Sequence, residues 1–152
     1  MSSQFKTSTG YKEKVIESFN RQRMMKTINA SILAIRPGEI ELEFPFQSNL
    51  TQQHGFIHAG IVSTVLDTAC GYAAFSLMPE NAAVLTIEFK VNLLSPAKGE
   101  RFRAVAKVKK PGKNITVTEG ELFSYIEGGQ KLVATMVGTI MSVYDREGIE
   151  NL

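Results

Sequence analysis

Between residues 9 and 28, Val15, Ile16, Phe19 and Met24 recur at helix-like spacing among Lys, Glu and Arg. This pattern predicts an amphipathic helix with one face laid on another layer. In residues 31–46, Ile40, Leu42 and Phe44 alternate with polar positions after Pro37-Gly38, the mark of a two-stranded hairpin. Residues 47–56 are polar and read as a loop. The pattern then changes. Residues 58–77 are apolar or small at most positions, bounded by Gly55 and Pro79, and long enough for one extended helix.

Everything after that alternates. In 84–94, Leu85, Ile87, Phe89 and Val91 fall on one face, and Thr86, Glu88, Lys90 and Asn92 on the other. Residues 102–109, 115–125 and 132–143 continue as strands. Turns at Ser95-Pro96, Pro111-Gly112-Lys113-Asn114 and Gly128-Gly129 separate them. The order (helix, hairpin, long apolar helix, four strands) predicts an α+β fold in which one antiparallel sheet wraps a central helix. Residues 1–29 form the amphipathic helical segment and 30–152 the sheet with its helix, in a single domain.

The 152 residues suffice for one buried core. A net charge of +2, with Lys and Arg scattered along the chain, argues against a nucleic-acid partner. The single cysteine, Cys70, excludes an internal disulfide and fits a reducing, cytoplasmic setting. The opening MSSQFKTSTG lacks the apolar core of a signal peptide. The long apolar run is too interrupted by Asp67, Ser and Thr to span a membrane.

Asp67 is the lone carboxylate in HAGIVSTVLDTACGYAAFSLM. Val62, Val65, Leu66, Ala69, Cys70 and Ala73 cover several faces of that helix, so protein encloses it. A carboxylate there is costly unless it is paired, points outward or meets a water-bearing cleft. A solvated helix face ordinarily carries more than one charge, which counts against the outward reading. At the helix start, His58-Ala59-Gly60 offers first-turn N–H groups that attract anions and can polarise a carbonyl oxygen. Ala59 and Asp67 are eight residues apart, roughly 12 Å along a helix axis. One carbonyl cannot touch both within one chain. If both serve one reaction, they come from two copies, and a homodimer with shared sites follows.

HGFIHAGIVSTVLDTACGYAA resembles the H-G-G…D…G-x-A segment of hotdog-fold acyl-CoA thioesterases of the phenylacetate-type, PaaI-like group. The likeness continues through VLTIEFKVNLLSPAKGERF and more weakly through VKKPGKNITVTEGELF, covering residues 38–143. It implies the hotdog fold and hydrolysis of an acyl-CoA to a carboxylic acid and free CoA, with no cofactor beyond the CoA of the substrate. It implies Asp67 as general base or nucleophile, and the Ala59 N–H, preceded by His58, as oxyanion donor. Thr86 would help hold the attacking water, and Gln52 would contact the thioester carbonyl. Two departures stand out. Ala59 replaces the usual Gly, and Gln52 is longer than the Asn common in the family, with Asn49 as a rival for its role.

Asn49, Gly60, Cys70 and Gly71 are expected to complete the substrate-binding set. Cys70 lies three residues after Asp67 and could share its face, with a buried structural thiol as the alternative. Lys98, Lys110 and Lys113, at strand ends and turns, are expected to meet the CoA phosphates, against the alternative of a solvated basic edge. His54 and His58 lack a thiol or acidic partner at metal-like spacing, so no metal site is expected. The expected partners are a small acyl-CoA substrate and further copies of the chain, a dimer as the minimal unit and a tetramer beyond it. Two other functions remain open: a non-hydrolytic acyl-CoA-binding or regulatory hotdog protein, and a hotdog acyl-thioester dehydratase or hydratase.

Overall fold

A computed structural model describes residues 5–145 and 147–149. Its centre is the apolar run. Helix α3 (Ala59–Phe75) buries Val62, Val65, Leu66, Ala69, Cys70, Ala73 and Phe75. Each large side chain so enclosed contributes about 1.5–3 kcal/mol relative to exposure. The enclosing layer is one six-stranded antiparallel sheet. Its strands are β1 (Ser31–Arg36), β2 (Glu39–Pro45), β3 (Ala82–Leu93), β4 (Arg101–Lys110), β5 (Ile115–Ile126) and β6 (Gly129–Tyr144). They stand in the order β1-β2-β4-β5-β6-β3, and α3 touches β2 to β6. This is the hotdog fold, an α+β sheet wrapped on one helix.

The alternation read from the sequence decides which residues meet α3. Phe102, Ala104 and Ala106 of β4, Leu122 of β5, and Ala134, Met136 and Ile140 of β6 are fully or almost fully buried. Close approach of helix and sheet depends on two glycines. A Cβ at Gly120 would sit 3.1 Å from Cys70 Sγ, and one at Gly138 would sit 2.9 Å from Thr118 Oγ1. The hairpin turns at Pro37-Gly38, where Gly38 takes φ 74°, a left-handed conformation that glycine adopts without strain. On the outer face, buried Glu41 bonds both Arg36 and Arg103, tying β1, β2 and β4. Burial pushes the Glu41 carboxyl up, but the two guanidinium groups outweigh it and hold it below its ordinary value.

Two sequence expectations are corrected. The single helix over 9–28 is two, α1 (Tyr11–Arg21) and α2 (Arg23–Thr27), broken where Gln22 turns extended at φ −75°, ψ 102°. The buried residues explain the break. Val15 and Phe19 are one turn apart, but Met25 follows Phe19 by six residues. In a continuous helix Met25 would point about 120° away from Phe19. Breaking at Gln22 brings Met25 and then Ile28 back into the core, while Met24, counted in the apolar pattern, is exposed. Lys14 fastens α1 to the end of α3, donating to the Met78 carbonyl at 2.6 Å with its ammonium over the Phe75 ring.

The second correction concerns β3. A bulge between Thr86 and Glu88 inserts Ile87 as an extra residue. Residues paired across two strands share a face. Val84 and Thr86 pair with Ser142 and Ile140, whereas Phe89, Val91 and Leu93 pair with Gly138, Met136 and Ala134. The helix-facing set is therefore Val84 and Thr86 before the bulge, then Phe89, Val91 and Leu93 after it. The four apolar residues predicted on one face are split, and Thr86 faces inward. No helix among the described residues is long and apolar enough to cross a membrane.

Candidate active site

The loop before α3 is a tight structure. Gly55 N–H donates to the Gln52 carbonyl, Gln52 N–H to the Phe56 carbonyl, and Thr51 bridges Ile57. His58 N–H donates to the Leu50 carbonyl, which fixes where the helix begins. His58 is the N-cap, and its Nδ1 accepts from the Gly60 N–H at 2.8 Å. The His58 carbonyl accepts from Ile61 and Val62. The cap thus satisfies Gly60 and, among the described residues, leaves the Ala59 N–H as an open first-turn donor. Gln52 Oε1 accepts from the His54 N–H, so the Gln52 Nε2 group keeps its two hydrogens for a ligand. Gln52 and Ala59 line one cleft of about 450 Å³, walled by Phe56, Val62, Leu93 and Pro96.

Asp67 lies two turns further along α3 and lines a different cleft, of about 330 Å³. Its Oδ1 accepts from Thr86 Oγ1 at 2.7 Å. The bulge makes this contact, because it leaves Thr86 on the helix side of β3. Asp67 is half-buried and aligned by the Thr86 hydroxyl, and among the described residues it forms no ion pair. Gly71, Thr68, Tyr72, Val84 and Gln22 complete this cleft. Neither cleft contains the other's polar groups, as the spacing on α3 requires.

The remaining candidates divide. Gly60 is exposed, with its N–H taken by His58. Asn49 is exposed in a 3-10 turn and lines neither cleft. Cys70, expected beside the substrate, is fully buried beneath Gly120 and Gly138, because those glycines open a slot in the sheet for it. Burial pushes its thiol up to about 11, with the Thr118 hydroxyl opposing and the Asp67 charge reinforcing. At pH 8 the native thiol is expected to react with a maleimide more than about a hundredfold slower than free cysteine, and at the free rate once unfolded. Timed alkylation with mass detection checks this.

Lys98 lines a groove with Lys131, Ser124 and the Gly128-Gly129 turn, and that groove shares Phe56 and Pro96 with the Ala59 cleft. Lys110 ends β4 and Lys113 follows it, so the ten residues of that strand separate them from Lys98, about 33 Å of extended chain. One chain does not gather the three lysines. His54 sits in the turn before Gly55, so the two histidines do not share a helix face. Sequence reading missed Gln22 and Thr68 as cleft residues. The six-residue gap between Phe19 and Met25 was the signal for Gln22.

Comparison with known proteins matches residues 54–128 to the thioesterase superfamily model. A crystal structure of a thioesterase family protein from Silicibacter pomeroyi is 56% identical, with a TM-score of 0.88, covering 89% of this chain and 99% of that one. The PaaI protein of the E. coli phenylacetic acid degradation operon shares the fold, with a TM-score of 0.80 at 20% identity, over 91% and 96% of the two chains. Human acyl-coenzyme A thioesterase 13 is 25% identical over 123 residues, 79% of this chain and 86% of that protein. This chain, with its antiparallel sheet wrapped on one long helix, belongs to the hotdog-fold thioesterase superfamily.

Proposed function

We propose that the protein hydrolyses acyl-CoA thioesters at sites shared between two copies, each site taking Asp67 from one copy and the Ala59 N–H with Gln52 from the other. The observation that carries this reading is the separation of the two clefts along α3 together with the edge position of β3. That strand ends the sheet and exposes Ile87, Phe89 and Leu93. An unpaired edge bearing apolar residues is a template for another strand. Thr86 stands beside Asp67, and Leu93 lines the Ala59 cleft. An antiparallel pairing of two β3 edges that sets Thr86 opposite Leu93 of the second copy brings the carboxylate of each to the open N–H of the other. A dimer so formed carries two equivalent sites, and a tetramer pairs two such dimers.

The chemistry follows from these groups. The thioester carbonyl accepts from the Ala59 N–H and the Gln52 amide, which stabilise the oxyanion as it develops. Asp67 either takes a proton from the attacking water or attacks the carbonyl itself, and Thr86 holds the carboxylate in line. CoA leaves through the first cleft, whose continuation passes Lys98 and Lys131. Steady-state assays over a panel of acyl-CoAs, with Asp67→Ala as control, test the reading. Turnover that depends on Asp67 supports it. Tight thioester binding with no turnover would make the protein a binding module instead. Thr86→Ala removes one hydrogen bond to a charged group and is expected to lower kcat about tenfold. A larger loss than at Asp67 would reverse the two roles.

A further inference from the structure

The break between α1 and α2 places Gln22 in the Asp67 cleft. There Gln22 Oε1 accepts from Thr68 Oγ1 at 3.1 Å, and Nε2 reaches the Tyr72 hydroxyl at 3.5 Å. Tyr72 OH also lies 3.1 Å from Ser18 Oγ of α1. Thr68 and Tyr72 are less than a tenth exposed. The far side of the acid's cleft is therefore a buried polar wall, tied together by one glutamine from the N-terminal segment. An amide oxygen accepts two hydrogen bonds and an amide nitrogen donates two. With one of each used, Gln22 has one acceptor and one donor left for whatever fills the cleft.

The two clefts also differ in what lies beyond them. The Ala59 cleft opens into the groove bearing Lys98 and Lys131, which suits the anionic CoA. The Asp67 cleft is partly open but carries Gln22 and Tyr72 on its wall, away from the lysines, which suits the end of the acyl group. At about 330 Å³, and about 30 Å³ per water-sized group, it has room for roughly ten non-hydrogen atoms. A plain alkyl end would leave the Gln22 amide facing hydrocarbon, and an anionic end would meet the Asp67 charge. Both are unfavourable.

Resting on the thioesterase reading above, we infer that Gln22 is a specificity-determining residue that selects short acyl groups ending in an uncharged hydroxyl or carbonyl oxygen. The N-terminal helical pair is then part of the site and not only packing. A site built to hydrogen-bond such a group rejects the analogue lacking it far more strongly than an apolar pocket rejects an extra methylene.

The test compares kcat/KM for 6-hydroxyhexanoyl-CoA and hexanoyl-CoA in the wild type, Gln22→Met and Thr68→Val, with 2-hydroxyhexanoyl-CoA as a control whose hydroxyl lies by the thioester. Thermal melts confirm that each variant folds. The wild type is expected to favour the 6-hydroxy substrate by at least about tenfold, and Gln22→Met to abolish that ratio. Thr68→Val, which frees the Gln22 side chain, should lower it less. The 2-hydroxy to hexanoyl ratio should not move. Wild-type hydrolysis of both substrates with no preference, or a preference unchanged in both variants, overturns the inference and leaves the thioesterase reading standing. Hydrolysis of none of the three thioesters overturns the thioesterase reading and this inference with it.

Discussion

Asp67→Asn is expected to fold as the native chain does and to lose at least about a thousandfold in kcat. The substitution is nearly isosteric. The Asn carbonyl can accept the Thr86 hydroxyl as the carboxylate oxygen does, so the local geometry survives. What disappears is the ability to take a proton or to attack a carbonyl. On the proposed shared site KM should change little, because the other copy's Ala59 and Gln52 would still hold the thioester. Such a pattern marks a group that acts in the transition state. Steady-state kinetics with a circular dichroism melt checks it. A folded variant that keeps most of its kcat would remove Asp67 from the reaction.

Ala59→Pro is expected to cost about 10²–10³ in kcat, the usual loss for one oxyanion donor. Proline lacks only the N–H, and it is well tolerated at the first position of a helix. Ala59 is that position in α3, and His58 before it has φ −60°, ψ 138°, the extended geometry a following proline requires. The cap bond from Gly60 to His58 lies outside the altered amide. Melting temperature should stay within a few degrees. Ala59→Gly keeps the N–H and separates loss of the donor from change of side chain. It is expected to lose much less. Equal losses in the two variants would contradict the donor role.

Much of this was legible because period and spacing are local properties. The run at 58–77 could only be the enclosed helix, since no face of it was polar enough for water. The eight-residue offset of Asp67 from Ala59 already meant that a site using both would need two copies. The errors came where backbone irregularity overrides period. A bulge costs one residue of register, and nothing in AVLTIEFKVNL marks Ile87 as the extra one. Thr86 was singled out by resemblance and does bond Asp67, while the strand reading put it on the wrong kind of face. Of the two readings of Cys70, the buried thiol is the one the fold gives; the choice was hidden because its neighbours on the sheet, Gly120 and Gly138, are distant in sequence. The three lysines were expected to meet the phosphates of one CoA, but the length of β4 divides them.

The shared site can be tested by mixing subunits. Co-refolded equal amounts of Asp67→Asn and Ala59→Pro chains place both defects in one site of each mixed dimer and leave the other site intact. With random pairing, half the dimers are mixed, so activity should recover from near zero to about a quarter of wild type. A mixture as inactive as its two components would show that Asp67 and Ala59 act within one chain or not in one reaction, and would contradict the account.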